Sequence, residues 1–209
     1  MNTAAEMVDG QLRRRGIRDS RVLNAMLRIP REEFVPERLR GEAYSDAPLV
    51  IGHGQTISQP YMTALMAELL ELRGDEKVLD VGTGSGYHAA VLGALAHEVI
   101  SIERIPELAE IARDNLRRTG LDRNILVICG DGSVGAPERS PFDAISVAAA
   151  SPGTPPTLVA QLRDPGILVI PEGTRKDQEL HVVRKENGKI TTRIVSGCKF
   201  VPLLGREGF

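Results

Sequence analysis

The sequence predicts an α/β protein: a doubly wound, mostly parallel sheet with helices on both faces and antiparallel strands at its C-terminal edge. Three observations carry this. From residue 77 onward, short apolar runs alternate with helical stripes. The runs are apolar throughout, as in strands buried on both faces. Near the end, ELHVVRK and KITTRIV flank Glu186-Asn187-Gly188, and Asn-Gly between two strand-like runs signals a hairpin.

The elements follow in order. Ala4–Arg15 reads as a helix ending before Gly16, and nothing marks Met1–Arg15 as a separate arm. Asp19 or Ser20 caps a second helix through about Leu27, stopped before Pro30. The next thirty or so residues, through Gln59, hold prolines, glycines and turn residues without a sustained period. Such a long irregular stretch in a compact chain is usually functional or disordered. Phe34, Val35, Tyr44, Leu49, Val50 and Ile51 argue against disorder. Pro60 opens a helix whose buried stripe is Met62, Leu65, Met66, Leu69 and Leu70, with Gly74 beyond it. KVLDV (77–81) is a strand, Tyr87–Ala96 a helix and EVISI (98–102) a strand. Ile105, Leu108, Ala109, Ala112 and Leu116 line a helix stopped at Gly120. ILVIC (125–129) and AISVA (144–148) are strands, Pro155–Leu162 a helix and GILVIP (166–171) a further strand.

Composition narrows the function. At 209 residues the chain is one domain and can bury a sizeable core. A net charge of −2 excludes a broadly basic nucleic-acid binder. Aromatic residues make up only 3%, with no Trp, which argues against readers that stack bases on exposed rings. Cys129 and Cys198 sit in no CxxC, so neither a zinc site nor a disulfide framework is expected, and two thiols suit a reducing compartment. MNTAAEMVDGQLRRRG has no apolar signal-peptide core. No apolar run reaches the roughly 18–20 residues of a membrane helix. A cytoplasmic, soluble monomer with no membrane partner, no nucleic-acid partner and no metal is expected.

The most informative segment is VLDVGTGSGYHAAVL. Gly82, Thr83, Gly84 and Gly86 fall between a strand and a helix, where backbone can approach a ligand and the helix N-terminus offers N–H groups. Glu103 ends the next strand, where a carboxylate can accept from ribose hydroxyls. A dinucleotide fingerprint, GxGxxG, needs its third glycine at 87, which is Tyr. Asp80 precedes the loop and would repel a pyrophosphate, whereas S-adenosylmethionine carries an ammonium and no phosphate. Asp131 and Gly132, in GDG after the third strand, offer an acceptor for an adenine amino group. These residues lie at the ends of three successive strands, the edge where open α/β sheets bind ligands.

LDVGTGSGY resembles motif I of the class I S-adenosylmethionine-dependent methyltransferases, and VISIER their acidic strand-two motif. Within that Rossmann-like superfamily, YSDAPLVIGHGQTISQPYM is very similar to the segment before motif I in protein-L-isoaspartate O-methyltransferases. GDGSVG, FDAISVAAASPGTPPTLVAQL, GILVIPEG and FVPLLGREGF resemble further blocks of that family, so the likeness runs from about Phe34 to Phe209. It implies methylation of the α-carboxylate of L-isoaspartyl residues in damaged proteins and peptides, with S-adenosyl-L-methionine as donor. The ester then collapses to a succinimide. The resemblance also implies a single methyltransferase domain over 1–209. In it, 1–60 would give N-terminal helices and a closing loop, 61–175 the cofactor core, and 176–209 the last strands and a substrate-groove segment.

By the same resemblance Ser58 is the active-site serine, and its hydroxyl would orient the isoaspartyl carboxylate. Thr56, Ile57 and Gln59 would position substrate. On spacing alone Ser58 could instead cap the helix opened by Pro60. His53 reads as a loop hydrogen bonder and His88 as cover for the cofactor pocket. His97 and His181 read as structural or exposed, and Arg13-Arg14-Arg15 as a solvated face. The family usually has His where this chain has Tyr61, and Val50 and Gln59 also depart from it. A carboxylate with a pKa near ~3.5–4 is ionised at neutral pH and needs no general base. The rival enzyme reading is another class I methyltransferase acting on a small molecule or nucleic acid. An exocyclic-amine methylase would carry Asn/Asp-Pro-Pro-aromatic where this chain has AAASPG, and a cytosine C5 enzyme would need Pro-Cys. The other rivals are a non-catalytic module keeping the cofactor fold and a dehydrogenase, the latter disfavoured by Tyr87.

Overall fold

A computed structural model describes residues 3–209; the part of the N-terminal expectation touching Met1 and Asn2 lies outside the described residues. The expected helix over 4–15 is instead a short α1, Ala4–Met7, running on into wider π-helical turns at Val8–Arg13. Gly10 lies inside those turns and weakens regular helix. Asp19 caps α2 (Ser20–Arg28), its Oδ1 accepting from Arg21 N at 2.7 Å and Val22 N at 3.4 Å.

The irregular stretch is more ordered than its composition suggests. It holds 3₁₀ turns at Arg31–Phe34 and Glu37–Glu42, then an antiparallel hairpin of β1 (Leu49–Gly52) and β2 (Gln55–Ile57). The turn, His53-Gly54, has φ of 52° and 71°. A histidine in that left-handed region carries no familiar turn signature, which hid the hairpin. Pro60 then opens α3 (Pro60–Leu69), buried on most of its faces.

Seven further strands build the main sheet: β3 (Lys77–Val81), β4 (Glu98–Glu103), β5 (Ile125–Cys129), β6 (Phe142–Val147), β7 (Leu162–Gly173), β8 (Gln178–Glu186) and β9 (Lys189–Cys198). Their order is β5-β4-β3-β6-β7-β8-β9. The first five run parallel, and β8 and β9 add antiparallel. β7 begins earlier than the expected 166. Phe142 pairs Leu162 while Ala144 pairs Ile167, so Asp164-Pro165-Gly166 is taken up in an irregularity. That is where a strand tolerates a proline.

Strand alternation splits the core. Val78, Val99, Val127 and Ala144 face α2, α3, α4 (Tyr87–Gly93) and α5 (Pro106–Thr119). Leu79, Ile100, Ile145 and Leu168 face the other layer, with Leu158 of α6 (Pro156–Gln161) and Leu203 of the C-terminal segment. Both faces are therefore covered, as continuous apolar strands require. β3 and β6 lie side by side although the chain visits β4 and β5 between them. The winding reverses there, and the crevice at their carboxyl ends is where such sheets take ligands. Among the described residues no helix is long and apolar enough to cross a membrane.

Candidate active site

The glycine loop leaves β3 and is pinned to the end of β4. Gly82 and Thr83 N–H both donate to Ile102 O, at 2.9 and 3.2 Å. Glu103, only 7% exposed, accepts from Gly84 N at 2.8 Å through Oε2 and from Ile105 N at 3.0 Å through Oε1. Each of those oxygens keeps a second lone pair, and Glu103 lines a half-open cavity in front of the loop. Gly82, Gly84, Arg104, Gly132, Ala148 and Leu203 complete much of its wall.

Two more spaces adjoin it. A small chamber is lined by Ser58, Thr83, Ser85, His88 and Ile57. An open cleft of about 1110 Å³ is lined by Arg15, Ser58, Gln59, Tyr61 and the Ser196–Val201 stretch. Thr56 and Ala148 line all three spaces, and Ser58 lines the chamber and the cleft. Ser58 does not cap α3: Gln59 holds the N-cap position and makes no side-chain cap bond. Ser58 is instead held by its backbone, its carbonyl accepting from Arg31 Nη2 at 2.6 Å.

Several residues sit otherwise than the sequence suggests. Asp80 lies beneath the loop, fully buried, and lines none of the three spaces. Its Oδ2 accepts from Ser101 Oγ at 2.6 Å, and Ser101 Oγ meets Thr83 Oγ1 at 2.6 Å. Burial pushes the Asp80 carboxyl up to about 7, against the smaller opposing pull of the Ser101 hydroxyl. Asp131 is largely engaged by the protein: Oδ1 accepts from Ser133 N at 2.9 Å and Ser133 Oγ at 2.7 Å, and Oδ2 from Arg206 N at 2.8 Å, which leaves one lone pair on Oδ2. Partial burial raises its pKa, but those bonds and the charge of Arg104 outweigh it, leaving the carboxyl below the usual range. Gly132, not Asp131, reaches the cavity wall. Gly86 lines none of the three spaces. It has φ 96°, and a Cβ there would meet Ala112 O at 3.3 Å, so it serves the packing of α4 on α5.

Arg15 is exposed, as the sequence suggests, but it lies in the turn after the N-terminal helical segment and is engaged at the cleft. Its guanidinium carbon lies 3.4 Å from the Tyr61 ring centroid, it pairs with the Asp46 carboxylate, and it lines the cleft. His88, on the first turn of α4, bonds Ser146 Oγ through Nε2 at 2.9 Å, and burial pushes it down to about 4. It is therefore neutral at physiological pH. Sequence reasoning missed Arg31, which carries no local signature, and named Ala148 and Val201–Leu204 only as parts of blocks that resemble the family, with the latter expected at the substrate groove rather than along the cavity in front of the glycine loop.

The donor set suits a ligand with an amino-acid end and a nucleoside end. Asp80 Oδ1 is buried without a hydrogen-bond partner, and so is Ser85 Oγ, which faces the chamber. Ser85 lines the chamber, where its hydroxyl can meet a carboxylate, whereas Asp80 stays beneath the loop and outside all three spaces. Glu103 offers lone pairs to a diol. Among the described residues no cluster of three or more His, Cys, Asp or Glu could hold a metal ion.

Comparisons with known proteins agree with this arrangement. The family profile described as protein-L-isoaspartate(D-aspartate) O-methyltransferase (PCMT) matches residues 2–208. Protein-L-isoaspartate O-methyltransferase of Methanopyrus kandleri is 55% identical over 197 residues, 92% of this chain and 87% of the relative. Protein-L-isoaspartate O-methyltransferase 2 of Marinobacter nauticus is 57% identical over 205 residues, 97% and 93% of the two chains. A solved structure of a Plasmodium falciparum protein, described as a putative member of the same family in complex with S-adenosyl-L-homocysteine, superposes with a TM-score of 0.83 at 30% identity. That match covers 98% of this chain and 99% of the other. With sequence, fold and crevice in agreement over nearly the whole length, this chain belongs to the protein-L-isoaspartate(D-aspartate) O-methyltransferase family.

Proposed function

We propose that this protein is a repair enzyme that methylates the α-carboxylate of L-isoaspartyl residues in damaged proteins and peptides, using S-adenosyl-L-methionine. The observation that carries the reading is the placement of Ser58, on the wall between the chamber beside the glycine loop and the open cleft. One hydroxyl there can meet a carboxylate arriving from the cleft while the donor occupies the other side.

When bound, the cofactor supplies an electrophilic methyl group on a positively charged sulfur that leaves readily. The protein's own work is alignment. Ser58 donates a hydrogen bond from its hydroxyl to the incoming carboxylate and orients one oxygen. Thr56, Ile57 and Gln59 hold the acceptor side. Gly82, Thr83 and Gly84 form the cradle, Glu103 takes the ribose hydroxyls, and Gly132 packs beside the adenine. Asp80 supports the cradle from beneath, Gly86 sets the helix that follows, and Asp131 secures the wall. Neutral His88 adds no competing cation. The acceptor is already ionised, so no side chain has to remove a proton. Positioning of this kind supplies up to roughly 7–11 kcal/mol of barrier lowering.

The reading takes the chain as one domain acting as a monomer in the cytoplasm, without a nucleic-acid partner. A net charge of −2 and two free cysteines fit that setting. The test is methyl transfer from labelled S-adenosyl-L-methionine to an isoaspartyl peptide and to its aspartyl twin. Label in the first alone is expected; equal label in both, or in neither, overturns the assignment.

A further inference from the structure

Arg31 is fully buried, yet no carboxylate pairs with it among the described residues. Its guanidinium is spent on backbone and a ring. Nε donates to Ala43 O at 2.7 Å and Nη2 to Ser58 O at 2.6 Å. The guanidinium carbon lies 4.7 Å from the centroid of the Tyr87 ring. Phe34 braces that ring edge-on, with centroids 5.6 Å apart, and Tyr87 OH donates to Met26 Sδ at 3.6 Å. Nη1 is left without a partner. A buried cation with no carboxylate in contact is costly, the charge of Asp46 acting on it only from a distance, and an apolar side chain would fill the same space at less expense. The question is what the fork holds that an apolar group could not.

It holds the two halves of the site against each other. Tyr87 directly follows the last glycine of the loop and starts α4, so it moves with the cofactor cradle. Ser58 lies between β2 and α3, on the acceptor side. Ala43 belongs to the turn that leads toward β1. A planar fork resting on the first of these and donating to the other two sets where the serine stands relative to the donor. A flexible ammonium could not reproduce two fixed bonds and the stack together. Misplacement by about 1 Å can cost about a hundredfold in rate when alignment is the whole of catalysis.

We propose that Arg31 is a positioning residue for methyl transfer, acting through the Ser58 carbonyl to fix the serine hydroxyl relative to the cofactor cradle. This rests on the methyl-transfer reading above and deepens it.

The experiment is a double-mutant cycle with the full chain. Arg31→Lys retains the cation, Arg31→Gln retains a planar donor, and each is made alone and with Ser58→Ala. The readouts are kcat and KM for an isoaspartyl peptide, Kd for S-adenosyl-L-homocysteine, and Tm. Arg31→Lys is expected to lower kcat at least tenfold while Kd changes less than threefold. In the Ser58→Ala background the same change is expected to cost less than threefold, because the hydroxyl it positions is gone. An equal, multiplicative loss in both backgrounds overturns the proposal. So does a parallel loss of cofactor affinity, or an unchanged kcat. If neither single variant folds, Arg31 is a structural strut and the proposal falls. A wild-type enzyme that methylates no isoaspartyl peptide instead overturns the functional reading, which separates the two failures.

Discussion

Asp131 Oδ2 accepts the backbone N–H of Arg206 at 2.8 Å, tying the end of β5 to the C-terminal segment. The neighbouring bonds strengthen the tie. Glu207 N donates to Ser133 Oγ at 3.0 Å, and Thr157 N donates to Glu207 Oε2 at 3.0 Å. Leu203 N donates to Ala150 O at 2.7 Å, and Ala150 N to Val201 O at 2.8 Å. Val201–Leu204 line the cavity in front of the glycine loop, so the carboxylate holds down a wall of that cavity.

Asp131→Ala is therefore expected to weaken cofactor affinity about tenfold, mainly through faster release. Gly205→Ala should act in the same direction, because a Cβ there would fall 2.1 Å from Asp131 Oδ1. Stopped-flow release of S-adenosyl-L-homocysteine measures both. Unchanged release in the two variants would show that the wall stays shut without its latch.

Ser58→Ala is expected to lower kcat roughly 10–100-fold, the range of a hydrogen bond to a charged group worth about 1.5–3 kcal/mol. Cofactor Kd should move less than twofold. Equilibrium titration beside steady-state kinetics separates the two, and a collapse of cofactor binding would make Ser58 a scaffold residue.

Glu103→Ala removes the acceptor of both Gly84 N and Ile105 N and the lone pairs that face the cavity. Cofactor affinity is expected to drop by at least tenfold, with the isoaspartyl-peptide KM little changed. Calorimetric titration checks it; full affinity would take Glu103 out of ligand binding.

Asp80 and His88 pull stability in opposite directions with pH. Between about 4 and 7 the unfolded chain has released the Asp80 proton that the fold retains, so stability falls as pH rises. Between about 4 and 6.5 the unfolded chain holds a His88 proton that the fold excludes, so stability rises with pH. Each slope is at most about 1.4 kcal/mol per pH unit. Over the shared window they largely cancel. Asp80→Asn should leave a rising profile and His88→Gln a falling one, read by urea unfolding at pH 4.5, 5.5 and 6.5. An Asp80→Asn profile parallel to wild type would refute the buried-carboxyl account.

The strands of the core and the terminal hairpin were legible because their signals are local. Apolar runs such as VLDV and ILVIC announce burial on both faces, and Asn187-Gly188 announces its turn, with φ of 52° and 73°. The β1–β2 hairpin was not legible, since its strands are short, partly polar and joined through a histidine in a left-handed conformation. Charged residues were the least legible. Arg15 reads as a solvated face and is exposed, yet it also stacks on Tyr61 in the cleft, and Arg31, which carries no local signal, is sealed beneath Tyr87. Their positions depend on chain segments dozens of residues away, which no local period encodes. The tie of Asp131 to the C-terminal segment was hidden for the same reason: its partner, Arg206, lies 75 positions on.

The cavity in front of the glycine loop draws its wall from segments as far apart in sequence as Gln55 and Leu204. On the ribosome those pieces are delivered in order, and the glycine loop emerges long before its cover. A chain halted ahead of residue 201 could complete all nine strands and still present an unroofed crevice. Competence to grip a ligand thus waits on the segment that follows the last strand, and tight ligand retention reports that this segment has been made and set in place.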